Sequence, residues 1–318
     1  MLRNDVLCIG SATLDNFLTT ERKLASIKIG DKVLVKSTES HTGGGGTNSA
    51  AALAKLGLKV KILTKVGDDH AGEIIKHELK RYRIKDITKS YSKKNTDLAT
   101  IISSTKQRDR IIYVHKGASR DLSEHDFTKS KIKTKWIYLA TLVGKSFNTA
   151  KKIAIYAKKK KIKLLFNPSL YLAKRGKNFL KPVLEATTVI VLNKEEAQVL
   201  LKSKAPIKKL LLMLHKLGPE TVIITDGIKK MYAYDKKIIY YLTPPDIKVI
   251  HTAGAGDAFT AGFLAGIIKK YSIEDALQLG QVNSMSIIQH IGTKNKLLTE
   301  KEARKSMKKY KIKVYKTN

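Results

Sequence analysis

The stretch HTAGAGDAF, residues 251–259, sets one carboxylate, Asp257, behind a run of glycines and alanines. Residues without bulky side chains at a helix start leave backbone N–H groups pointing one way, backed by the positive end of the helix dipole. Gly254, Ala255 and Gly256, with the N–H of Asp257, would form an anion hole suited to the charge on a transferring phosphoryl group. Asp257 at its edge is then able to take a proton from an attacking hydroxyl. The same carboxylate could instead cap the helix, a role worth about 1 kcal/mol. The loop alone leaves both roles open.

A second run, HTGGGGTNSAAALAKLG at residues 41–57, places Gly43, Gly44, Gly45 and Gly46 directly before an alanine-rich segment. Bare backbone lets a polar ligand approach closely, and Asn48 offers a donor and an acceptor to hydroxyls. A tight entry turn into a helix accounts for the same glycines. Asn48 and Ser49 stand where the third glycine of G-x-G-x-x-G would fall, which argues against a dinucleotide fold. Gly144-Lys145-Ser146 follows a strand pattern, but Leu139 holds the position that a Walker loop gives to glycine, so a P-loop is rejected.

Holding these loops in place calls for alternating strands and helices. Short β-branched runs at 6–10, 60–66, 136–142, 162–168, 188–193 and 221–227 read as strands. Amphipathic stretches at 48–56, 70–82, 147–160, 194–202 and 206–217 lie among them, the pattern of a parallel sheet covered by helices. A strand pair over 231–242 follows, then helices near 256–269, 273–290 and 299–309. Residues 15–41 and 96–115 alternate with period two and carry no helical pattern, so they are expected to pair as one small sheet over the active face. No internal repeat or linker marks a second unit, and one α/β domain with an appendage is expected for the 318 residues.

Lysine and arginine total 62 against 27 acidic residues, a net charge of +35 that would attract polyanions non-specifically. The lysines are spread along the chain (KHELKRYRIK, YAKKKKIKLL, MKKYKIKVYK), with no zinc-finger spacing or aromatic RNA-binding signature, so a solvated surface is the better reading. Cys8 is the single cysteine, which rules out an intrachain disulfide and a cysteine-rich metal site and points to a reducing cytoplasm. No apolar run approaches the roughly 20 residues of a membrane span, so no membrane association is expected.

Nearly the whole chain resembles the ribokinase-like, or PfkB, carbohydrate kinases. The resemblance rests on GGGGTN and HTAGAGD, which match that family's G-G-x-G-x-N and D-T-x-G-A-G-D elements in order and at their usual separation. GSATLD, LFNPS, NKEEAQVL, ITDG and QVNSMSIIQHIG supply further matches. The resemblance implies an α/β ribokinase-like three-layer sandwich with a mostly parallel central sheet. The segments 15–41 and 96–115 would be its β-sheet lid, a surface that often also joins a homodimer.

Residue by residue, the resemblance implies that Asp15 holds substrate hydroxyls together with Gly43 to Gly46 and Asn48. Asn193, Thr225, Gly227 and Asn283 would approach the nucleotide, and Glu196 would hold Mg²⁺ through water. Asp257 becomes the catalytic base. The implied activity is ATP-dependent phosphorylation of a hydroxyl of a small sugar, a ribose-like one being favoured by the Asn-Pro turn in LFNPS. A nucleoside kinase or a sugar-phosphate kinase of the same fold is the alternative. A basic nucleic-acid-binding module that kept the fold is a further reading, against which the intact Asp257 and Glu196 weigh. His251 stands where many relatives carry an aspartate that helps hold an activating monovalent cation. An imidazole brings no negative charge, so activation by K⁺ is expected to be weak or absent.

Overall fold

The computed structural model describes residues 4–106 and 110–317. In chain order the first half comprises β1 (Asn4–Ile9), β2 (Thr13–Thr20), β3 (Val35–Gly43), α1 (Gly45–Lys55), β4 (Val60–Leu63), α2 (His70–Arg81), β5 (Lys85–Asp86), β6 (Asp97–Ser104), β7 (Arg110–His115), β8 (Thr134–Leu139) and α3 (Lys145–Lys159). The second half comprises β9 (Lys163–Phe166), α4 (Leu170–Ala173), α5 (Gly176–Leu184), β10 (Val189–Asn193), α6 (Lys194–Leu201), α7 (Ile207–His215), β11 (Thr221–Thr225), β12 (Met231–Tyr234), β13 (Ile239–Leu242), α8 (Ala255–Ile268), α9 (Ile273–Ile288), α10 (Glu300–Tyr310) and β14 (Val314–Thr317).

The run VLCI in β1 is apolar at every position, which suits a parallel strand covered on both faces. Val6 and Cys8 enter one core with α1, α2, α8 and α9, while Leu7 and Ile9 enter the other with α3, α5, α6 and α7. The sheet between the two cores has the order β14-β13-β12-β11-β10-β9-β8-β1-β4-β5. Its strands from β5 to β11 pair in parallel and the last three add antiparallel.

The small residues of α8 have a packing use as well as a chemical one. A side chain at Gly262 would meet Gly280 of α9 at 2.8 Å, and one at Gly266 would meet Ala276 at 2.8 Å. Two apolar helices thus lie nearly backbone to backbone beneath the site. Sharp local signals set other helix starts: Asp69 accepts from the Gly72 N–H ahead of α2, and Thr299 with Glu302 forms a capping box on α10.

A second sheet, ordered β3-β2-β6-β7, comes from the two segments expected as hairpins. Its joining ladder is parallel, β2 against β6 over eight residue pairs from Thr13↔Asp97 to Thr20↔Ser104. Part of the 96–115 reading, residues 107–109, lies outside the described residues. Four elements went unread in the sequence: β5, α4, α5 and β14. Pro182 lies inside α5 and Gly176 opens it, both against helix propensity, yet burial of Leu180, Val183 and Leu184 holds it in place. The lysine-rich tail gains its structure by pairing β14 with β13. No helix among the described residues is long and apolar enough to cross a membrane.

Candidate active site

A cavity of about 650 Å³ opens where the ends of the central strands meet the starts of α1, α6 and α8. Asp15, Gly44, Gly45, Asn193, Glu196 and Thr225 line it together with Gly254, Gly256 and Asp257. Residues from both glycine runs, separated by some 200 positions in the chain, therefore face one space.

Asp257 is the third residue of α8, and the N-cap is Gly254, in the left-handed region at φ +80°. The carboxylate accepts from Asn48 Nδ2 at 2.8 Å, so its partner comes from α1 and not from the N–H groups of its own helix. Burial pushes the Asp257 carboxyl above its usual range, while the Asn48 hydrogen bond and the Lys294 ammonium pull it back and Asp15 raises it further. Asn48 is itself held from behind, since its Oδ1 accepts from Thr293 Oγ1 at 2.8 Å. Both ends of its amide are engaged, and Asn48 does not line the cavity. Its partners place the amide against the carboxylate, between Asp257 and Thr293.

Asp15 on β2 is buried and accepts from Thr13 Oγ1 at 2.8 Å. Burial raises its carboxyl, opposed by Thr13, Lys294, Lys116 and His41. The glycines of the first run divide by task. Gly44 and Gly45 line the cavity, whereas a Cβ on Gly43 would overlap the Asp15 carboxylate, and one on Gly46 would meet the Gly10 backbone at 2.7 Å. Gly43 makes room for Asp15 and Gly46 seats α1 against the end of β1; neither touches the cavity. At the second run, Gly254 and Gly256 face the cavity, but Ala255 does not, and its N–H bonds to the Thr252 carbonyl at 3.3 Å. A Cβ on Gly256 would meet nothing within 4 Å beyond its chain neighbours and its own helix backbone, and Gly256 borders the cavity. The N–H groups of Gly256 and Asp257, next in the first turn of α8, make no such backbone bond among the described residues.

Asn193 and Glu196 form a capping box on α6, with the Glu196 N–H on Asn193 Oδ1 and the Asn193 N–H on Glu196 Oε2, each at 2.9 Å. Glu196 nevertheless borders the cavity, and burial pushes its carboxyl up to about 7. Thr225 at the end of β11 lines the same space. Gly227, just beyond, is exposed and outside it. Asn283 is fully buried; its Nδ2 donates to the Ala258 carbonyl at 2.8 Å and its Oδ1 accepts from the Leu298 N–H at 3.4 Å. It ties α9 to α8 and to the Leu298 backbone, is buried between them, and does not line the cavity.

His251 also lies outside the cavity. Its Nδ1 accepts from the Ala253 N–H at 3.2 Å, and its ring meets Phe17 edge-on with centroids 5.2 Å apart. Burial, helped by Arg110, lowers its pKa, so the imidazole is neutral at physiological pH. Unread in the sequence were Lys116 and Arg120, which line the cavity, Lys116 near enough to Asp15 to lower its carboxyl. Lys116 pairs with Asp97 at 3.2 Å, whereas Arg120 makes no ion pair among the described residues. Their signal was the cluster HKGASR at the exit of β7.

Among the described residues no group of three or more His, Cys, Asp or Glu could hold a metal ion. One cavity-lining carboxylate, Glu196, fits a Mg²⁺ bound mainly by substrate phosphates and water.

The family model for the pfkB family carbohydrate kinases matches residues 3–300. The ribokinase of Haemophilus influenzae is 25% identical over 308 residues, 95% of this chain and 97% of that protein. Among solved structures, the ribokinase of Thermotoga maritima superposes with a TM-score of 0.84 at 18% identity, covering 96% of this chain and 99% of the other. The ribokinase of Arabidopsis thaliana, solved in complex with ribose and ATP, gives 0.79 at 20% identity with coverages of 96% and 99%.

Proposed function

The chain belongs to the pfkB family of carbohydrate kinases, phosphotransferases that act on a sugar hydroxyl, and on that premise we propose that it moves the γ-phosphate of ATP to a hydroxyl of a ribose-like sugar at the cavity of Asp257. The observation that carries this is the aim of the carboxylate: Asn48 holds Asp257 from the side, facing a space bordered by Gly254 and Gly256. Asp15 and the backbone of Gly44 and Gly45 hold the acceptor. Asp257 takes the proton from the attacking hydroxyl, and the N–H groups at the start of α8 meet the charge on the phosphoryl oxygens. Asn193 and Thr225 border the nucleotide, and Glu196 would hold Mg²⁺ through water. Bound there, Mg²⁺ neutralises phosphate charge. The β3-β2-β6-β7 sheet acts as a lid that excludes water, and exposed Ile111, Ile112 and Tyr113 on its edge strand support pairing of two lids in a homodimer.

A sugar-phosphate acceptor is the second reading, favoured by Arg120, which lines the cavity and makes no ion pair among the described residues. Assays of ATP-dependent transfer to ribose-like sugars, nucleosides and sugar phosphates test both. A neutral sugar turned over at unchanged KM by Arg120→Ala supports the first. A sugar phosphate whose KM rises about tenfold or more in that variant, the usual scale for a lost charge-assisted contact, supports the second. Transfer to none of them defeats the kinase reading. With the neutral imidazole of His251 beside the α8 loop, kcat is expected to stay level when K⁺ replaces a bulky organic cation at constant ionic strength. A strong rise with K⁺ would remove this expectation.

A further inference from the structure

Behind the glycine loop lies a charged cluster that the proposed chemistry does not use. Lys294 has a relative exposure of 7%, and its ammonium has three acceptors: the Thr42 carbonyl at 2.8 Å, the Thr42 hydroxyl, and Glu78 Oε2 at 2.7 Å. All three N–H groups are thereby satisfied. Thr42 immediately precedes the glycine run, and Glu78 is on α2. The neighbouring Thr293 donates to Asn48 Oδ1 at 2.8 Å and reaches the Thr42 carbonyl at 3.2 Å, and Asn48 in turn donates to Asp257.

We propose that Lys294 is a positioning residue for the transfer: its ammonium ties the 292–298 turn to Thr42 and Glu78, and through Thr293 and Asn48 it keeps the Asp257 carboxylate aimed into the cavity. A buried cation placed here also acts on the charge of the site. Burial draws the Lys294 pKa down, and the carboxylates of Glu78, Asp15 and Asp257 draw it up. Conversely, Lys294 lowers both Asp15 and Asp257 against the burial that raises them. The charged groups acting on Asp257 are Lys294 and Asp15, while Asp257 in turn acts on Glu196 and the Tyr138 hydroxyl. Glu78 acts on Lys294 but is not among the charges acting on Asp257. A lysine that joined α2 to the turn without acting on the charge of the site would leave the titration of Asp257 where it is.

The inference rests on the kinase reading, so the wild type is first assayed for transfer; a wild type inactive on every acceptor removes both. Removing Lys294 alone would strand the Glu78 carboxylate, so the informative variant is the pair Lys294→Met with Glu78→Leu, which replaces the ion pair by apolar groups. At about pH 6, kcat is expected to fall by about tenfold to a hundredfold with KM for the acceptor nearly unchanged, the scale of a misaimed general base. The acid limb of the kcat profile moves to higher pH, so the deficit shrinks towards alkaline pH. Wild-type kcat and an unmoved acid limb would overturn the proposal. Should the paired variant fail to fold, Thr293→Val cuts the relay to Asn48 alone; a roughly tenfold fall in kcat upholds the proposal, and a wild-type value rejects it.

Discussion

Asp257→Asn is expected to lower kcat by about three powers of ten, within the range for loss of a general base, while KM for the acceptor and for ATP stays within about twofold. The substitution keeps shape: the Asn48 N–H group still has an oxygen to meet, so the arrangement of 2.8 Å survives and only the proton acceptor is gone. Stability should move the other way. Burial raises the Asp257 carboxyl above its unfolded value, so the folded state favours the protonated form. The ionised group therefore weakens folding at neutral pH, and that cost vanishes only as pH falls below the unfolded carboxylate value. A neutral amide removes it, and the melting temperature should equal or exceed that of wild type. A kcat within about tenfold of wild type, below the smallest effect usual for such a base, would leave Asp257 no role as base.

Gly256→Ala should separate folding from chemistry in the same helix. The residue has ordinary helical backbone, a Cβ there meets nothing within 4 Å beyond its chain neighbours and its own helix backbone, and alanine is the better helix former by about 1 kcal/mol. The variant should fold at least as well as wild type. Its methyl group, however, would point into the space where the phosphoryl oxygens meet the start of α8, and kcat should fall by about a hundredfold or more, the scale of a lost oxyanion contact. Gly254→Ala is the contrasting control. There φ is +80° and the side chain would meet Thr293 at 2.9 Å, so stability itself should drop. Kinetics and thermal melts on the two variants decide the matter; an active Gly256→Ala enzyme would place the phosphoryl group elsewhere.

The chain order disclosed the architecture because both faces of β1, β8 and β10 are covered and their apolar runs are correspondingly unbroken. The helices at α2 and α10 announced themselves through caps and spacing. What stayed hidden depends on contacts across long stretches of chain. Nothing at Asn48 says that its amide will lie between Thr293 and Asp257, partners 245 and 209 residues away. Nor do four successive glycines say which two face the cavity, because that follows from where Asp15 and Gly10 come to rest. Asn283 resembled a nucleotide contact by its place in a motif, and the close approach of α8 and α9 turned it inward. α5 was unreadable because burial there outweighs a proline and a glycine that local propensity counts against a helix.

The parallel ladder between β2 and β6 has a mechanical consequence. Eight successive residue pairs join two hairpins that leave the core at separate points, so neither hairpin can swing without shearing the bonds to the other. The four strands form one plate, attached to the body at the Gly10–Thr13, Gly43–Gly44, Thr96 and Lys116–Gly117 segments. Such a plate carries Asp15 with it, so any displacement of the sheet moves that carboxylate relative to Asp257 on α8.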